Sequence, residues 1–141
     1  MSGKTLKKVT KRELLKIFQL TNQQKYIDKL AIKFKNKKIL GYGTGFLTDI
    51  VFDNYDLSKL NIVAFSDKKY SDTENASYHG YKAISPNEIP ELNPDVVLIF
   101  VYHDSIIKDF FDKNYPELNS IQISIINNSL FYRIKLFLCG Y

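Results

Sequence analysis

Hydrophobic and polar positions follow two different patterns along the chain. In residues 10–36, apolar residues recur at helical spacing behind two capping patterns, one from Thr10 to Glu13 and one from Thr21 to Gln24. These features predict two short helices, or one helix kinked near Thr21, ending at Asn36. From residue 37 onward, short apolar runs alternate with helix-periodic stretches, which indicates strands connected by helices.

The apolar runs in the second part have the length and composition of buried strands. The run at 95–102, with the sequence DVVLIFVY, is nearly continuous, as is typical of a central parallel strand covered on both faces. The predicted strands are residues 38–42, 61–66, 82–84, 95–102 and 120–126. The predicted helical stretches are residues 46–52, 86–89, 105–111 and 128–138, whereas the polar residues 68–80 are predicted to form a surface loop.

This alternation predicts an α/β fold. We expect a doubly wound, mostly parallel five-stranded Rossmann-like sheet with strand order 3-2-1-4-5, in which strands 38–42 and 95–102 are central. The N-terminal helices would pack on one face or edge of this sheet. The 141 residues fit one compact unit, composed of a basic helical segment (1–36) and a Rossmann-like nucleotide-binding domain (37–141).

Charge is distributed unevenly between the two parts. Residues 1–40 contain 12 Lys or Arg and 2 Asp or Glu, a net charge of +10, whereas the remainder has a net charge of −5. The basic segment either forms a solvated helix face or binds an anionic partner such as nucleic acid or lipid headgroups. Nucleic acid is the less favoured partner, because aromatic residues are not interleaved with the lysines.

Cysteine content and hydropathy favour a cytoplasmic protein. Cys139 is the only cysteine, so no internal disulfide is expected, and no Cys/His cluster has the spacing of a zinc site. The basic N-terminus is not followed by the apolar core of a secretory signal. No run approaches about 18 apolar residues, so no transmembrane segment is expected.

Three glycines mark the candidate ligand site. Gly41, Gly43 and Gly45 follow the first predicted strand and precede a predicted helix, in the sequence KKILGYGTGF. Such a turn lets a phosphate approach the backbone and the free N–H groups of the helix N-terminus, and the Thr44 hydroxyl can contribute. The third glycine falls one position early for the pattern G-x-G-x-x-G, with Phe46 in its place. The alternative is a tight connection without a ligand.

Further candidates follow the second and fourth strands. Asp67 ends the second strand, 26 residues after Gly41, where an acid hydrogen-bonds ribose hydroxyls in nucleotide-binding sheets. We expect its carboxylate to lie at the rim of the sheet, followed by Lys68 and Lys69. The alternative is an acid that only begins the next loop. The cofactor would be NAD(P), with NAD and NADP not distinguished. Tyr102 and His103 follow the central strand next to the topological switch point, where ligands bind in open α/β sheets, so His103 is the candidate catalytic group. The alternative is a structural or exposed histidine.

The stretches KKILGYGTGF, VAFSDKK and HGYKAISPNEIPELNPDVVLIFVY carry a resemblance to a known group. They are similar to small Rossmann-like domains of bacterial sugar-modifying enzymes, found at the N-terminus of nucleotide-sugar acyltransferases and at the C-terminus of sugar C-methyltransferases. The resemblance implies a nucleotide or nucleotide-sugar site at Gly41, Gly43, Gly45 and Asp67, linked to sugar or surface-polysaccharide metabolism. The likeness covers about residues 37–126.

Two other functions remain open. GYGTG resembles the glycine loop of S-adenosylmethionine-dependent methyltransferases, although those enzymes usually carry an acid where this chain has Ile39. The chain can also be a non-catalytic interaction or regulatory module. Because the sheet uses almost the whole sequence, catalysis would require a separate partner protein, and whether the chain is an enzyme stays open. The apolar stripes of the N-terminal segment should be buried against the body or against a second copy of the chain. Together with the opposite charges on the two parts, they favour a homodimer.

Overall fold

The computed structural model describes residues 10–127 of the chain. It begins with two helices, α1 (Lys11–Leu20) and α2 (Gln23–Lys33), which confirms the two-helix interpretation. The Thr10 side chain caps α1 by accepting a hydrogen bond from the Glu13 amide. Asn22, in the left-handed conformation, rather than Thr21, caps α2. Thr21 instead ends α1, so the two helices meet at a two-residue turn.

The sheet has six strands in the order β3-β4-β2-β1-β5-β6. The strands are β1 (Ile39–Tyr42), β2 (Ile62–Ser66), β3 (Ala76–Tyr78), β4 (Tyr81–Ile84), β5 (Val96–Ile99) and β6 (Ile121–Ser124). All neighbours pair in parallel except β3 and β4, which are antiparallel. The coarse prediction is therefore confirmed: the fold is α/β, the sheet is mostly parallel, and β1 and β5 are adjacent central strands.

The predicted five-stranded sheet of order 3-2-1-4-5 is wrong, because an additional strand, β3, forms the edge beyond β4. β3 lies within residues 68–80, which were expected to be a surface loop. His79 and Gly80 both have positive φ, 47° and 82°, and form the two-residue turn of a β-hairpin. Residues 68–80 also contain a short 3₁₀ helix, Lys68–Tyr70.

Helices cover both faces of the sheet. One face is covered by α1, α2 and α3 (Phe46–Asn54), and the other by α4 (Ile89–Leu92) and α5 (Asp104–Asn114). The first face holds the larger core, into which the N-terminal helices bury Leu14, Ile17, Phe18, Ile27, Leu30 and Phe34. The apolar stripes of the N-terminal segment thus pack on the body of the same chain. This confirms their predicted burial.

The predicted closing helix at 128–138 and Cys139 lie outside the described residues. Across residues 10–127, the structure has no helix with the length and hydropathy needed to cross a membrane.

Candidate functional site

The glycine turn connects the carboxyl end of β1 to the first residue of α3. The amide of Gly43 donates to the carbonyl of Ser66 in β2 at 2.9 Å. The Thr48 hydroxyl, in the first turn of α3, donates to the carbonyl of Gly43 at 2.8 Å. The turn is therefore attached both to the neighbouring strand and to its own helix, so its backbone is held in place before any ligand arrives.

The three glycines have different structural roles. A Cβ atom on Gly41 would lie 2.3 Å from a ring carbon of Phe65, so the contact of β1 with this ring accounts for Gly41. Gly43 has φ +106°, and its Cβ would lie 3.0 Å from both the Phe100 carbonyl oxygen and Val101 Cγ2. A Cβ on Gly45 would meet nothing within 4 Å. Of the three, Gly45 alone borders open space.

The N-terminus of α3 is the part of the turn that is suited to an anion. Gly45 is its N-cap residue, and no side chain caps the helix. The first amides of a helix lack intrahelical acceptors and carry a partial positive charge, which favours phosphate or carboxylate groups at this end. Because Gly45 also faces open space, an anionic group can approach these amides without steric conflict from a side chain at this position.

Asp67 is engaged with the glycine turn. Its Oδ2 accepts hydrogen bonds from the Thr44 amide at 2.9 Å and from the Thr44 hydroxyl at 3.1 Å. Lys69 Nζ completes the arrangement by donating to the Thr44 carbonyl at 2.8 Å. We call these contacts the Thr44–Asp67–Lys69 network. Asp67 therefore ties the loop after β2 to the loop after β1.

The second carboxylate oxygen of Asp67, Oδ1, can accept one more hydrogen bond. Asp67 Oδ1 accepts a long hydrogen bond of 3.3 Å from the amide of Lys69, which lies in the 3₁₀ helix after β2. A carboxylate oxygen can accept two hydrogen bonds. Lys68 extends in another direction and places its Nζ 5.1 Å from the ring centroid of Phe110 in α5. The two lysines therefore contact different elements of the site.

Tyr42 belongs to the core on the face of the sheet that α4 and α5 cover. It is buried, and its ring packs edge-on against Phe111 at a centroid distance of 5.2 Å. Burial, and secondly the negative charge of Asp67, raise the pKa of the Tyr42 hydroxyl to about 12. The hydroxyl therefore stays protonated at neutral pH, and it has no role as a base there.

Tyr102 and His103 lie in the loop between β5 and α5. Their rings are perpendicular, with centroids 4.7 Å apart, and His103 is the residue immediately before α5. The contact of Gly43 with Phe100 and Val101 shows that the loops after β1 and β5 meet at the switch point. The structure thus places both residues in a loop that adjoins the glycine turn. Within residues 10–127, no group of His, Cys, Asp or Glu side chains has the arrangement of a metal site.

A second polar cluster was not anticipated from the sequence. Asp49 in α3 accepts a hydrogen bond from the Tyr78 hydroxyl and lies 3.4 Å from His79 Nε2. The His79 ring stacks on Phe52 at a centroid distance of 4.3 Å, and burial together with Asp49 raises the pKa of Tyr78. The cluster fastens the β3–β4 hairpin to α3. The pattern Tyr-His-Gly-Tyr at 78–81, with a glycine between aromatic residues, is the sequence signal from which this hairpin could have been predicted.

A cleft of about 620 Å³ opens beside the carboxyl end of β4. The loop at 70–75 forms one wall, and Lys82, Ala83, Ser85, Asn87 and Glu88 form the other. Ser85 caps the following 3₁₀ turn, and the Glu88 carboxylate accepts from the Ser85 amide at 2.9 Å. The cleft is lined mostly by polar residues and begins at Tyr70, the last residue of the 3₁₀ helix that carries Lys69.

We expect Asp67→Ala to lower the free energy of unfolding by about 1–3 kcal/mol, because Thr44 is buried and its amide and hydroxyl lose their acceptor. Urea denaturation of wild type and variant measures the change. Asp72→Ala, which removes an exposed acid from the following loop, is the matched control and should stay within about 0.5 kcal/mol of wild type. Equal stability of the two variants would show that the network does not hold the loops together.

The raised pKa of Tyr42 predicts a loss of stability in alkali. A tyrosine with a higher pKa in the folded state contributes its full stabilisation below the ordinary value of 10.0 and loses it as the pH rises towards about 12. We therefore expect the free energy of unfolding to fall less steeply above pH 10 in Tyr42→Phe than in wild type. Denaturant titrations at several alkaline pH values check this, and identical slopes would contradict it.

Sequence comparisons add one relationship. Comparison with curated proteins gives no match. The sequence profile of a family described as C2185-like, N-terminal, matches residues 35–121. This range begins just before β1 and ends at the start of β6, so it includes the glycine turn, Asp67, Tyr102 and His103. Since the match covers more than half of the 141 residues, the chain belongs to the C2185-like N-terminal family.

Proposed function

We propose that this chain is a Rossmann-like nucleotide-binding protein whose ligand, NAD(P) or a nucleotide-sugar, places its phosphates at the N-terminus of α3. One observation carries the proposal. The first turn of α3 lacks a side-chain cap, borders open space at Gly45, and begins at the carboxyl end of the central strand β1. This is the position where parallel α/β sheets bind phosphate-containing ligands.

The neighbouring residues supply contacts of the right chemistry. Lys69 provides a cation next to the turn, and Asp67 Oδ1 can accept from a ribose hydroxyl while Oδ2 stays on Thr44. Tyr102 and His103 follow the adjacent strand, and the His103 imidazole is the group available for proton transfer. The polar cleft at 70–75 gives the remainder of the ligand a place along the same sheet edge.

The wider role rests on the resemblance to domains of bacterial sugar-modifying enzymes. We propose a cytoplasmic protein that works in sugar or surface-polysaccharide metabolism beside a separate catalytic protein. We also propose that it forms a homodimer, in which the basic segment of one copy meets the acidic body of another. Sedimentation at high micromolar concentration tests the dimer, and a clean monomer would exclude it.

A ligand panel tests the nucleotide proposal. Thermal unfolding is measured with NAD, NADP, UDP, UDP-glucose, coenzyme A and S-adenosylmethionine. A ligand present at about 100 times its dissociation constant adds about 2.7 kcal/mol to the stability. Stabilisation by S-adenosylmethionine alone would favour the methyltransferase alternative. If no ligand changes the thermal stability, an interaction module is favoured. This is the second candidate function, because Asp67 and Lys69 already form hydrogen bonds with Thr44.

A charge placed at Gly45 gives the sharper test. Gly45→Asp puts a carboxylate where we expect the phosphates, and Gly45→Asn is the uncharged control of the same shape. Both residues are good N-caps and have room here, so we expect both variants to fold with wild-type stability or better. We expect Gly45→Asp to bind the responding nucleotide at least about tenfold more weakly than Gly45→Asn, through repulsion of like charges. Equal affinities, measured by calorimetry, would place the phosphates elsewhere.

A further inference from the structure

The outward face of α2 is a basic surface with an exposed apolar side chain at one edge. Lys25, Lys29 and Lys33 follow one another at four-residue spacing, and all three are exposed. Ile32 lies about 20° from Lys25 on the helical wheel, on the side away from Lys29 and Lys33. It is 77% exposed, the largest value among the exposed large hydrophobic residues described. At about 100° per residue, these four side chains share an arc of about 100°. We call them the α2 outward face.

The orientation of this surface is set by the opposite side of α2. Ile27 and Leu30 are buried in the core. Gln23 Nε2 donates to the carbonyl of Ile125, and the Tyr26 hydroxyl donates to the carbonyl of Ser124, both at 2.7 Å. Because α2 is held by its inner side, the lysines and Ile32 are presented to the outside without any rearrangement.

The lysines of the α2 outward face lack acidic partners within the described part of the chain. No ion pair joins Lys25, Lys29 or Lys33 to a described carboxylate. Asp28, the one acid within α2, accepts a hydrogen bond from Gln24 instead. Like charges four residues apart on a helix destabilise it slightly, so this arrangement is unfavourable for the isolated chain. Lys33 Nζ lies 5.3 Å from the ring centroid of Phe34, and the hydrogen bonds of the glycine turn do not involve these side chains.

We propose that the α2 outward face docks on a membrane surface that contains anionic lipids. The three ammonium groups would lie at the headgroup phosphates, and Ile32 would enter the boundary between headgroups and acyl chains. Basic side chains near an anionic leaflet and an apolar side chain at the same level are the two contributions that bind peripheral helices. Lys35 and Lys37, which follow α2 and are exposed, extend the positive charge.

The exposed isoleucine favours lipid over the other anionic partners. Nucleic acid contacts phosphates with cations and bases with aromatic or hydrogen-bonding groups, and an aliphatic side chain among the lysines adds nothing to such contacts. A lipid surface gains from the same side chain, because insertion removes its apolar area from water. The charge and the exposed isoleucine therefore fit a lipid surface together. The acidic body of a second copy is the competing occupant, and a dimer that the α2 triple variant loses, with no vesicle binding by wild type, would assign the face to it.

Vesicle binding by the full chain tests the proposal. Flotation compares vesicles of phosphatidylcholine alone with vesicles containing about a quarter phosphatidylglycerol. We expect binding to the anionic vesicles only, weakened by added salt because screening acts on exposed charges. The triple variant Lys25→Gln, Lys29→Gln, Lys33→Gln should lose about fivefold per lysine, or about a hundredfold in all. Ile32→Asn should lose about tenfold.

A matched control variant distinguishes binding through the α2 outward face from a general effect of the net charge of the protein. The variant Lys59→Gln, Lys82→Gln, Lys113→Gln removes the same charge from exposed positions on the body and should bind within about threefold of wild type. Circular dichroism checks that all variants fold. Failure of wild type to bind anionic vesicles would overturn the proposal, and so would equal losses in the two triple variants. Full vesicle binding by Ile32→Asn would contradict the insertion of this side chain. Binding of duplex DNA by wild type, lost in the α2 triple variant and without any vesicle binding, would assign the face to nucleic acid.

Discussion

We expect Gly41→Ala to lower the free energy of unfolding by about 3 kcal/mol or more, at the upper end of the cost of overpacking a core. The added Cβ would lie 2.3 Å from Phe65 Cε1 and 2.5 Å from Phe65 Cδ1, distances that real Cβ contacts do not reach. Phe65 cannot move away easily. It is fully buried, and its ring also contacts Phe52, Tyr78, Tyr81 and Phe100.

Urea denaturation of Gly41→Ala beside Gly45→Ala measures this effect. Gly45 belongs to the same glycine turn, but a Cβ there meets nothing within 4 Å and its φ of −100° suits any residue, so its alanine variant should be close to wild type. The double variant Gly41→Ala, Phe65→Leu should recover part of the loss, because leucine is smaller than the phenylalanine ring. A stable Gly41→Ala would mean that β1 and β2 can separate at this point.

The second large effect is expected at Gly43. Gly43→Ala should cost about 2–3 kcal/mol, because a side chain there combines a strained backbone with a close contact. Its φ is +106°, and the Cβ would lie 3.0 Å from the Phe100 carbonyl oxygen, which belongs to backbone and cannot rotate away. Substitution here harms folding directly, and Gly45 is therefore the better position for testing ligand binding alone.

Gly80→Ala is the control that separates strain from crowding. Gly80 has φ +82° but open space around its Cβ position, so only backbone strain of about 1 kcal/mol is expected. The difference between the two variants, measured by denaturation, gives the cost of the contact with Phe100. Equal losses at Gly43 and Gly80 would show that the loops after β1 and β5 are not pressed together.

The glycines also show where sequence reasoning about the site reached its limit. Their spacing placed a turn between β1 and α3, and the structure has that turn. Their spacing did not distinguish their roles, since Phe65 lies 24 positions after Gly41 and Phe100 lies 57 positions after Gly43. Only the packing of β2 and β5 on either side of β1 decides that two of the glycines relieve crowding and that Gly45 borders space.

Asp67 likewise has a position that the sequence predicts and contacts that it does not. Its position at the end of a buried strand could be predicted from the sequence, because an apolar run followed by an acid is a local feature. Its hydrogen-bonding partner could not be predicted from the sequence. Thr44 lies 23 positions earlier and meets Asp67 only because β1 and β2 are parallel neighbours whose carboxyl ends share one edge. The sequence therefore indicated the group and the tertiary structure decided what it binds.

The sequence by itself determined the local elements of this protein. Capping residues and helical periodicity located α1 and α2, and the continuous apolar run located the central strand β5. The tertiary structure decided the edge strand β3, the Thr44–Asp67–Lys69 network and the direction of the α2 outward face. The physical reason is the range of the interactions. Helix caps and apolar periodicity act over a few residues, whereas pairing at a sheet edge and contacts between loops join residues that only the folded chain brings together.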